Sequence, residues 1–371
     1  MLTSIRIQNF RSIRDAQVKL GQVNLFIGPN NSGKSNFLKG IENFSKFVFD
    51  FPNKENVTQE WYRQNLTKGL RYEPDYLPEI KFELSNGLEI NKYCEIYCSV
   101  NAALINRDSL FSIHSFFISK NNFLDDRTEL SVNNISEKFP AYPNPFYRTR
   151  AVLENVSVYK VEPSNFEFSS PLSNQPFLKY NASNIANFLN TLSQNNDEEF
   201  GNLKKDFVLC VNNLTSISTP PDPGVPGNLR IKFFDKNRDS YWAEEVSEGV
   251  LYFLALLCII HQPDPPKLLL LEEPEKGIHP RRIREVMDFI FELARLRDIQ
   301  IILTSHSPYV VDHFADIPEC ISVFDRENGE TVIRNAADII TETNAKLKEP
   351  IRYSDALGEH WVSGFLGGVP L

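Results

Sequence analysis

The 371-residue sequence is short of sulfur, of tryptophan and of positive charge. It has five cysteines, two methionines and three tryptophans, and its 39 Lys and Arg face 48 Asp and Glu for a formal net charge of −9. Each scarcity excludes something. The cysteines (Cys94, Cys98, Cys210, Cys258, Cys320) are odd in number and show no C-x-x-C spacing, and no histidine clusters beside them. That argues against a disulfide framework or a zinc site. Cys94 and Cys98 would share one side of a strand and read as packing residues. The acidic balance argues against a uniformly basic surface that coats DNA and leaves room only for a local basic patch. No apolar run approaches the roughly 18 residues of a membrane span. The opening MLTSIRIQNF has no basic stretch followed by an apolar one, so no secretory leader is predicted and the expected location is the cytoplasm. No heptad is sustained, which argues against a long coiled-coil arm.

What is present centres on Gln22 to Ser35, QVNLFIGPNNSGKS. Val23 to Ile27 reads as a buried strand, and Gly28-Pro29-Asn30-Asn31-Ser32-Gly33-Lys34-Ser35 fits G-x-x-x-x-G-K-[ST] at every fixed position. The two glycines free the backbone to converge its N–H groups on phosphate oxygens. Lys34 can reach the β- and γ-phosphates, the Ser35 hydroxyl can ligate Mg²⁺, and the helix opening at Asn36 aims its positive end at the same anion. The plainer reading, a glycine turn matching a loose pattern, is weakened by the strand before it and the apolar helix after it. Ahead of this loop, strands are predicted at Ser4–Ile7 and Ala16–Leu20. Phe10 and Arg11 lie between them and read either as a stacking and phosphate-touching pair or as a core ring and a solvated charge.

Further along, residues 79–99 alternate as a hairpin around Asn86-Gly87. Phe111–Ile118 and Val156–Val161 read as strands, and Phe139 opens a Pro- and Asn-rich loop. Residues 183–214 carry a helical period. Val246-Ser-Glu-Gly then feeds an apolar helix from about Val250 to Ile260, which taken alone is a capped buried helix.

The second strong stretch is KLLLLEEPEKGIHP, residues 267–280. A strand at Leu268–Leu271, expected beside the phosphate-loop strand, ends in two carboxylates. Glu272 would hold Mg²⁺ through water and Glu273 would polarise an attacking water. Alternatively the pair is a charge feature ahead of the helix at Pro280. That helix buries Ile283, Val286, Met287, Ile290, Leu293 and Ala294 on one face. A third parallel strand follows at Gln300–Thr304, then Ser305-His306-Ser307-Pro308, where His306 is either structural or bonded to a γ-phosphate. Asp325-Arg326-Glu327 and Asp355 read as surface or interface charges.

The order of P-loop, Ser-x-Gly helix, strand with Glu-Glu-Pro-Glu and Ser-His-Ser-Pro resembles the ABC-type ATPases of the RecF, SMC and OLD group. It is most similar to short stand-alone prokaryotic ATPases encoded beside a nuclease-like partner in anti-phage or toxin-like operons. The resemblance covers both ends, including Leu357-Gly-Glu-His-Trp and Leu366-Gly-Gly-Val-Pro, and is weak over 50–180. It implies an α/β fold of the ABC-ATPase type, a mixed β-sheet with flanking helices, an inserted α/β or helical lobe and no long coiled coil. The layout expected is a P-loop segment over 1–50, a β-rich insertion over 51–182, a helical lobe and linker over 183–240, the rest of the ATPase core over 241–330 and an extension over 331–371. It also implies ATP and Mg²⁺ as cofactors and a homodimer that sandwiches two ATP molecules. In that arrangement Ser247 and Gly249 of one subunit meet the γ-phosphate held by the other, and Lys276 to His279 lie at the interface. Val250 stands where Thr or Gln is common in the group, and Tyr252 where Arg is common. Neither Gln175 nor Gln194 has the context of the group's Q-loop glutamine. The function implied is an ATP-hydrolysing switch that regulates a separate effector in anti-phage defence. A RecF-like DNA-binding ATPase, with Arg148, Arg150, Lys160 and Arg281-Arg282-Arg284 as candidate contacts, and a slow nucleotide-dependent scaffold are the alternatives.

Overall fold

The computed structural model describes residues 1–50, 59–70, 80–89, 92–105, 108–121, 151–166, 169–211, 213–346 and 356–369. In chain order the elements begin β1 (Ser4–Phe10), β2 (Ile13–Lys19), β3 (Val23–Ile27), α1 (Lys34–Asp50), α2 (Gln59–Asn65), β4 (Ile80–Glu89), β5 (Lys92–Ile105) and β6 (Asp108–Asn121). Next come β7 (Val158–Tyr159), β8 (Ser170–Pro171), α3 (Ile185–Asn195), α4 (Asp197–Cys210), β9 (Leu214–Ser218), β10 (Asn228–Leu229), β11 (Lys232–Asp235) and β12 (Ser240–Trp242). The last are α5 (Glu248–Ile260), β13 (Leu268–Glu272), α6 (Pro280–Arg297), β14 (Gln300–Thr304), α7 (Pro308–Asp312), β15 (Ile321–Glu327), β16 (Glu330–Asn335), α8 (Ala336–Asn344) and α9 (Leu357–Val362). Among the described residues the longest helix is α6, at 18 residues. The chain forms two compact units, one of Met1–Val156, Lys267–Leu270 and Asp298–Leu371, the other of Ser157–Pro266 and Leu271–Arg297.

The first unit holds two sheets. One is antiparallel in the order β2-β1-β4-β5-β6; in the other, β16, β15, β3, β14 and β13 lie side by side in that order. The β3 strand is buried at all five positions and pairs in parallel with both β14 and β15. Continuous apolar runs of this kind suit a strand covered on both faces. Helix α1 joins the sheets. Near its start, Phe37 meets Phe26 of β3 edge-on at 5.6 Å and Phe324 of β15 at 5.8 Å. Two turns later Phe44 meets Phe82 of β4 at 5.8 Å, and Phe82 in turn meets Phe10 of β1 at 5.6 Å. Phe10 is therefore core, which settles one of the sequence alternatives. Phe37 is fully buried between two further rings. Phe37→Ala is expected to cost about 3–5 kcal/mol in denaturant unfolding, and a cost under about 1 kcal/mol would show that α1 is not held this way.

The second unit carries the short sheets β12-β11-β9 and β10-β8 with four helices. Helix α5 is buried from Gly249 to Ile260, apolar all round, as a central helix must be. At its C-terminal end His261 is fully buried. Its Nδ1 lies 2.5 Å from Glu199 and its Nε2 2.9 Å from Asp206, whose carboxylate also accepts from Arg297 at 2.5 Å. One imidazole thus ties α4 to the ends of α5 and α6. Burial pushes the Cys210 thiol up to about 12, with Asp206 and Glu292 adding to the effect, and holds Cys258 well above the usual thiol value. Since only the thiolate is alkylated readily, both should resist iodoacetamide at pH 8 in the native protein, and fast labelling of either, located by mass spectrometry, would contradict this packing.

Several expectations need correction. β13 does not lie beside β3, because β14 separates them. All three strands are apolar on both faces, so side-chain pattern does not rank them across the sheet; the Ile301↔Val23 register decides it. Asn86 and Gly87 pair with Cys94 and Tyr93 inside the β4–β5 ladder, which runs on to Glu89↔Lys92 with a register shift after Gly87. The glycine marks an irregularity within a strand and not the turn, since pairing continues beyond it to Glu89. The Phe111–Ile118 strand is one piece of a longer β6, whereas the Val156–Val161 strand shrinks to Val158–Tyr159. The helical period over 183–214 divides at Asn196, whose side chain caps α4 by accepting from Glu199 N at 3.1 Å. The Pro- and Asn-rich stretch from Phe139, together with Arg148, Arg150 and Asp355, lies outside the described residues.

Candidate phosphate-binding and switch site

The first unit builds a tight cradle-like turn at the end of β3. Gly28 and Gly33 take φ of 144° and 110°, backbone that an L side chain rarely adopts. Space excludes a side chain as well. A Cβ on Gly28 would lie 2.1 Å from the Phe324 carbonyl oxygen, and one on Gly33 would lie 2.2 Å from Thr331 Oγ1. Asn31 adds a third positive φ at 64°. Lys34 folds back over this turn, its Nζ donating to the carbonyls of Gly28 at 2.7 Å and Pro29 at 2.9 Å, with Ser32 Oγ at 3.5 Å. Helix α1 starts at Lys34 with no acidic residue in its first turn, so nothing of its own offsets the positive end of its dipole. Asn30, Asn31 and Ser35 are exposed, while Ser32, Gly33 and Lys34 are buried.

A chain of side chains braces the cradle from the other side. Arg11, in the β1–β2 turn at φ 52°, donates to Asn65 Oδ1 at 2.8 Å and to Asn36 Oδ1 at 3.3 Å. Asn36 donates to Ser12 Oγ at 2.9 Å, and Ser12 shares a hydrogen bond with Thr331 at 2.8 Å. Thr331 is the residue that closes over Gly33. Burial pulls the Arg11 guanidinium below its usual pKa. Arg11 is thus half-buried and held by Asn36 and Asn65 at the edge of the loop, 5.3 Å from the Phe10 ring centroid, so it is not a free solvated charge. Ser12 and Thr331 were not legible as site residues, because a lone hydroxyl in a turn or an outer strand carries no spacing signal.

The Ser305-His306 segment comes to the same sheet edge. The parallel register sets Thr304 against Phe26, and Ser305 N donates to the Phe26 carbonyl at 3.1 Å. The phosphate loop and His306 therefore leave neighbouring strands together. Ser305 is buried, its Oγ accepting from Ser307 N at 2.9 Å, and His306 is half-buried.

Glu272 ends β13, and Glu273 takes φ 50°. A glutamate in the left-handed region is costly and marks a position where geometry is imposed. The turn closes with Lys276 N donating to the Glu273 carbonyl at 3.0 Å. Both carboxylates are half-buried.

In the second unit Ser247 is the N-cap of α5, with φ −72° and ψ 147°, exposed, and without a capping hydrogen bond from its side chain. The helix begins at Glu248 and includes Gly249, two residues earlier than the apolar run alone suggests. Gly277 sits beside it; a Cβ there would lie 3.5 Å from a Glu248 carboxylate oxygen. Lys276, Gly277 and His279 are exposed around a buried Ile278. Val250 and Tyr252 are both buried, and burial raises the Tyr252 phenol well above its usual value, with Glu275 adding to it. The Tyr252 side chain fills core and offers nothing to a nucleotide. Gln175 accepts from Asn184 at 3.1 Å and Gln194 donates to Asn190 at 3.4 Å, so each has a local structural partner.

Comparison with known proteins bears on the family and the fold. The family described as "AAA domain, putative AbiEii toxin, Type IV TA system" matches residues 23–312. A short segment of 49 residues is 41% identical to the Bacillus subtilis (strain 168) protein named uncharacterized ABC transporter ATP-binding protein YhcH, covering 13% of this chain and 15% of that relative's length. Among solved structures, the SMC head domain from Thermotoga maritima is similar at a TM-score of 0.50 and 14% identity, covering 90% of this chain and 98% of the other. An Smc head bound to the C-terminal domain of ScpA derived from Pyrococcus furiosus is similar at a TM-score of 0.53 and 12% identity, covering 93% and 98%. The fold is that of an SMC-type ABC ATPase head.

Proposed function

The chain belongs to the AAA-domain family described by its AbiEii-type toxin, and from that membership we propose that it is an ATP-hydrolysing switch whose two-subunit, ATP-closed form controls a separate effector. The observation that carries the reading is the cradle itself. Two glycine positions admit no Cβ, Lys34 lies over the turn, and an uncompensated helix end faces it. These are the requirements of a polyphosphate site.

The residues fit the cofactors. Ser35, exposed at the second position of α1, and Glu272, at the end of β13, are the hard oxygen donors that would hold Mg²⁺, an ion that keeps several waters. When bound, Mg²⁺ neutralises charge on the β- and γ-phosphate oxygens. Lys34 supplies a second positive charge there. Glu273 orients and takes a proton from the attacking water, and His306 hydrogen-bonds the γ-phosphate or that water. Gly28 to Asn36 and Arg11 line the nucleotide's own side. Ser247 and Gly249 serve the nucleotide held by a second copy, a role that the exposed N-cap of α5 with its uncommitted capping position supports. The domain layout proposed from the sequence, with the ATPase core split between 1–50 and 241–330, is the frame for this division of labour.

The effector role is drawn from the resemblance to prokaryotic ATPases encoded beside a nuclease-like partner, with which the family's description, a toxin of a type IV system, is compatible; a nuclease-like partner in prokaryotic anti-phage defence is the form proposed. The test is a pulldown of Glu273→Gln from its native cells with MgATP, beside Lys34→Ala. A protein retained by the first variant alone is the expected result. Recovery of DNA or RNA without protein, lost steeply with added salt, would replace the effector reading with direct nucleic-acid binding. Tight ATP binding without turnover in the wild type would leave a scaffold in place of an enzyme.

A further inference from the structure

The C-terminal segment packs onto both loops that the proposed ATP site needs. At its start, α9 approaches the His306 loop so closely that a Cβ on Gly358 would lie 2.3 Å from the Pro308 carbonyl oxygen, and Gly358 N donates to Asp312 at 2.8 Å. At its end, Gly368 takes φ 57° and reaches the phosphate loop. A Cβ there would lie 2.7 Å from Val323, 3.0 Å from the Phe324 carbonyl oxygen and 3.4 Å from the Cα of Gly28. The Phe324 carbonyl is the same atom that excludes a side chain at Gly28, so Gly28 and Gly368 both pack against it. Between these ends Trp361 is fully buried, and its Nε1 donates to the Gly368 carbonyl at 3.0 Å. Leu357 and Leu366 are buried with it. The indole fixes the distance between the two contacts.

We infer that residues 357–368 form a clasp, with Trp361 and Gly368 as positioning residues that set the backbone of the phosphate loop and join its geometry to that of the His306 loop. Both residues are buried. The clasp rests on the proposed ATP site for its function, though not for its structural effect. Backbone amides that bind phosphate act through fixed direction, and displacing such groups by about 1 Å can cost on the order of a hundredfold. A methyl group at Gly368 must displace Val323 or the clasp itself, and it presses on the Phe324 carbonyl against which Gly28 packs.

Gly368→Ala and Gly367→Ala separate positioning from stability. Both glycines have positive φ, 57° and 69°, so both substitutions strain the backbone, but a Cβ on Gly367 meets nothing within 4 Å. Two readouts are taken, amide hydrogen exchange over 28–36 and 305–308 without nucleotide, and MgATP affinity. For Gly368→Ala, exchange at both loops should rise and affinity should fall roughly tenfold to a hundredfold. Gly367→Ala should lower the melting temperature similarly and leave both readouts at wild-type values. Trp361→Phe, which keeps a ring but removes the donor, should resemble Gly368→Ala in weaker form. Equal changes in both glycine variants, or unchanged loop exchange in Gly368→Ala, would overturn the clasp. A wild-type protein that fails to bind MgATP would instead overturn the ATP site, with the exchange data still deciding the clasp.

Discussion

Lys34→Ala should abolish measurable MgATP binding, with a loss of roughly 10²- to 10⁴-fold. The estimate follows from two charge-assisted hydrogen bonds to phosphate at about 1.5–3 kcal/mol each, with 1.4 kcal/mol per tenfold. The structure makes the variant informative in a second way. Lys34 is buried and bonded to the carbonyls of Gly28 and Pro29, so its removal also loosens the loop. Lys34→Arg separates the two effects. It keeps the charge, but a planar guanidinium does not replace a compact ammonium inside a turn this tight. Titration with a fluorescent ATP analogue should show both variants impaired, with the melting temperature lowered modestly. Wild-type affinity in Lys34→Ala would remove the P-loop from the account.

Glu273→Gln should bind MgATP normally and lose turnover by about 10²- to 10⁴-fold, the usual contribution of a positioned base. The amide is nearly isosteric and keeps the turn, which matters because Glu273 sits at φ 50° and its carbonyl accepts from Lys276. A change of shape is therefore not the expected cause of the loss. Phosphate release under saturating MgATP measures it. Turnover near wild type would move the base elsewhere, with Glu272 and His306 next in line. Glu272→Gln should act differently, raising the Mg²⁺ concentration needed for half-maximal turnover.

The parts of this fold that the sequence made readable are those where one physical requirement dominates. Only glycine suits Gly28 and Gly33, so the loop was visible in its spacing. The six positions that the helical period assigns to the buried face of α6, from Ile283 to Ala294, are the six buried there, because a helix with one wet face must show its period. The neighbour of β3 was not readable. β13 and β14 are equally apolar, and only the ladder between Ile301 and Val23 distinguishes them. Asn86-Gly87 misled because a glycine that signals a turn also serves an irregularity within a ladder. The braces around the loop, Ser12, Thr331 and Gly368, depend on contacts across hundreds of residues, and no local pattern encodes those. Tyr252, which departs from the group's common Arg, is core.

The central claim is that ATP joins two copies of this chain, and sedimentation velocity on Glu273→Gln tests it most directly. The variant is compared without nucleotide, with MgADP and with MgATP, beside the same variant carrying Ser247→Arg at the exposed N-cap of α5. The expected result is a doubling of mass with MgATP only, lost on adding Ser247→Arg while each copy still binds nucleotide. Nucleotide bound at the P-loop with the mass unchanged would contradict the ATP-closed dimer and, with it, the switch.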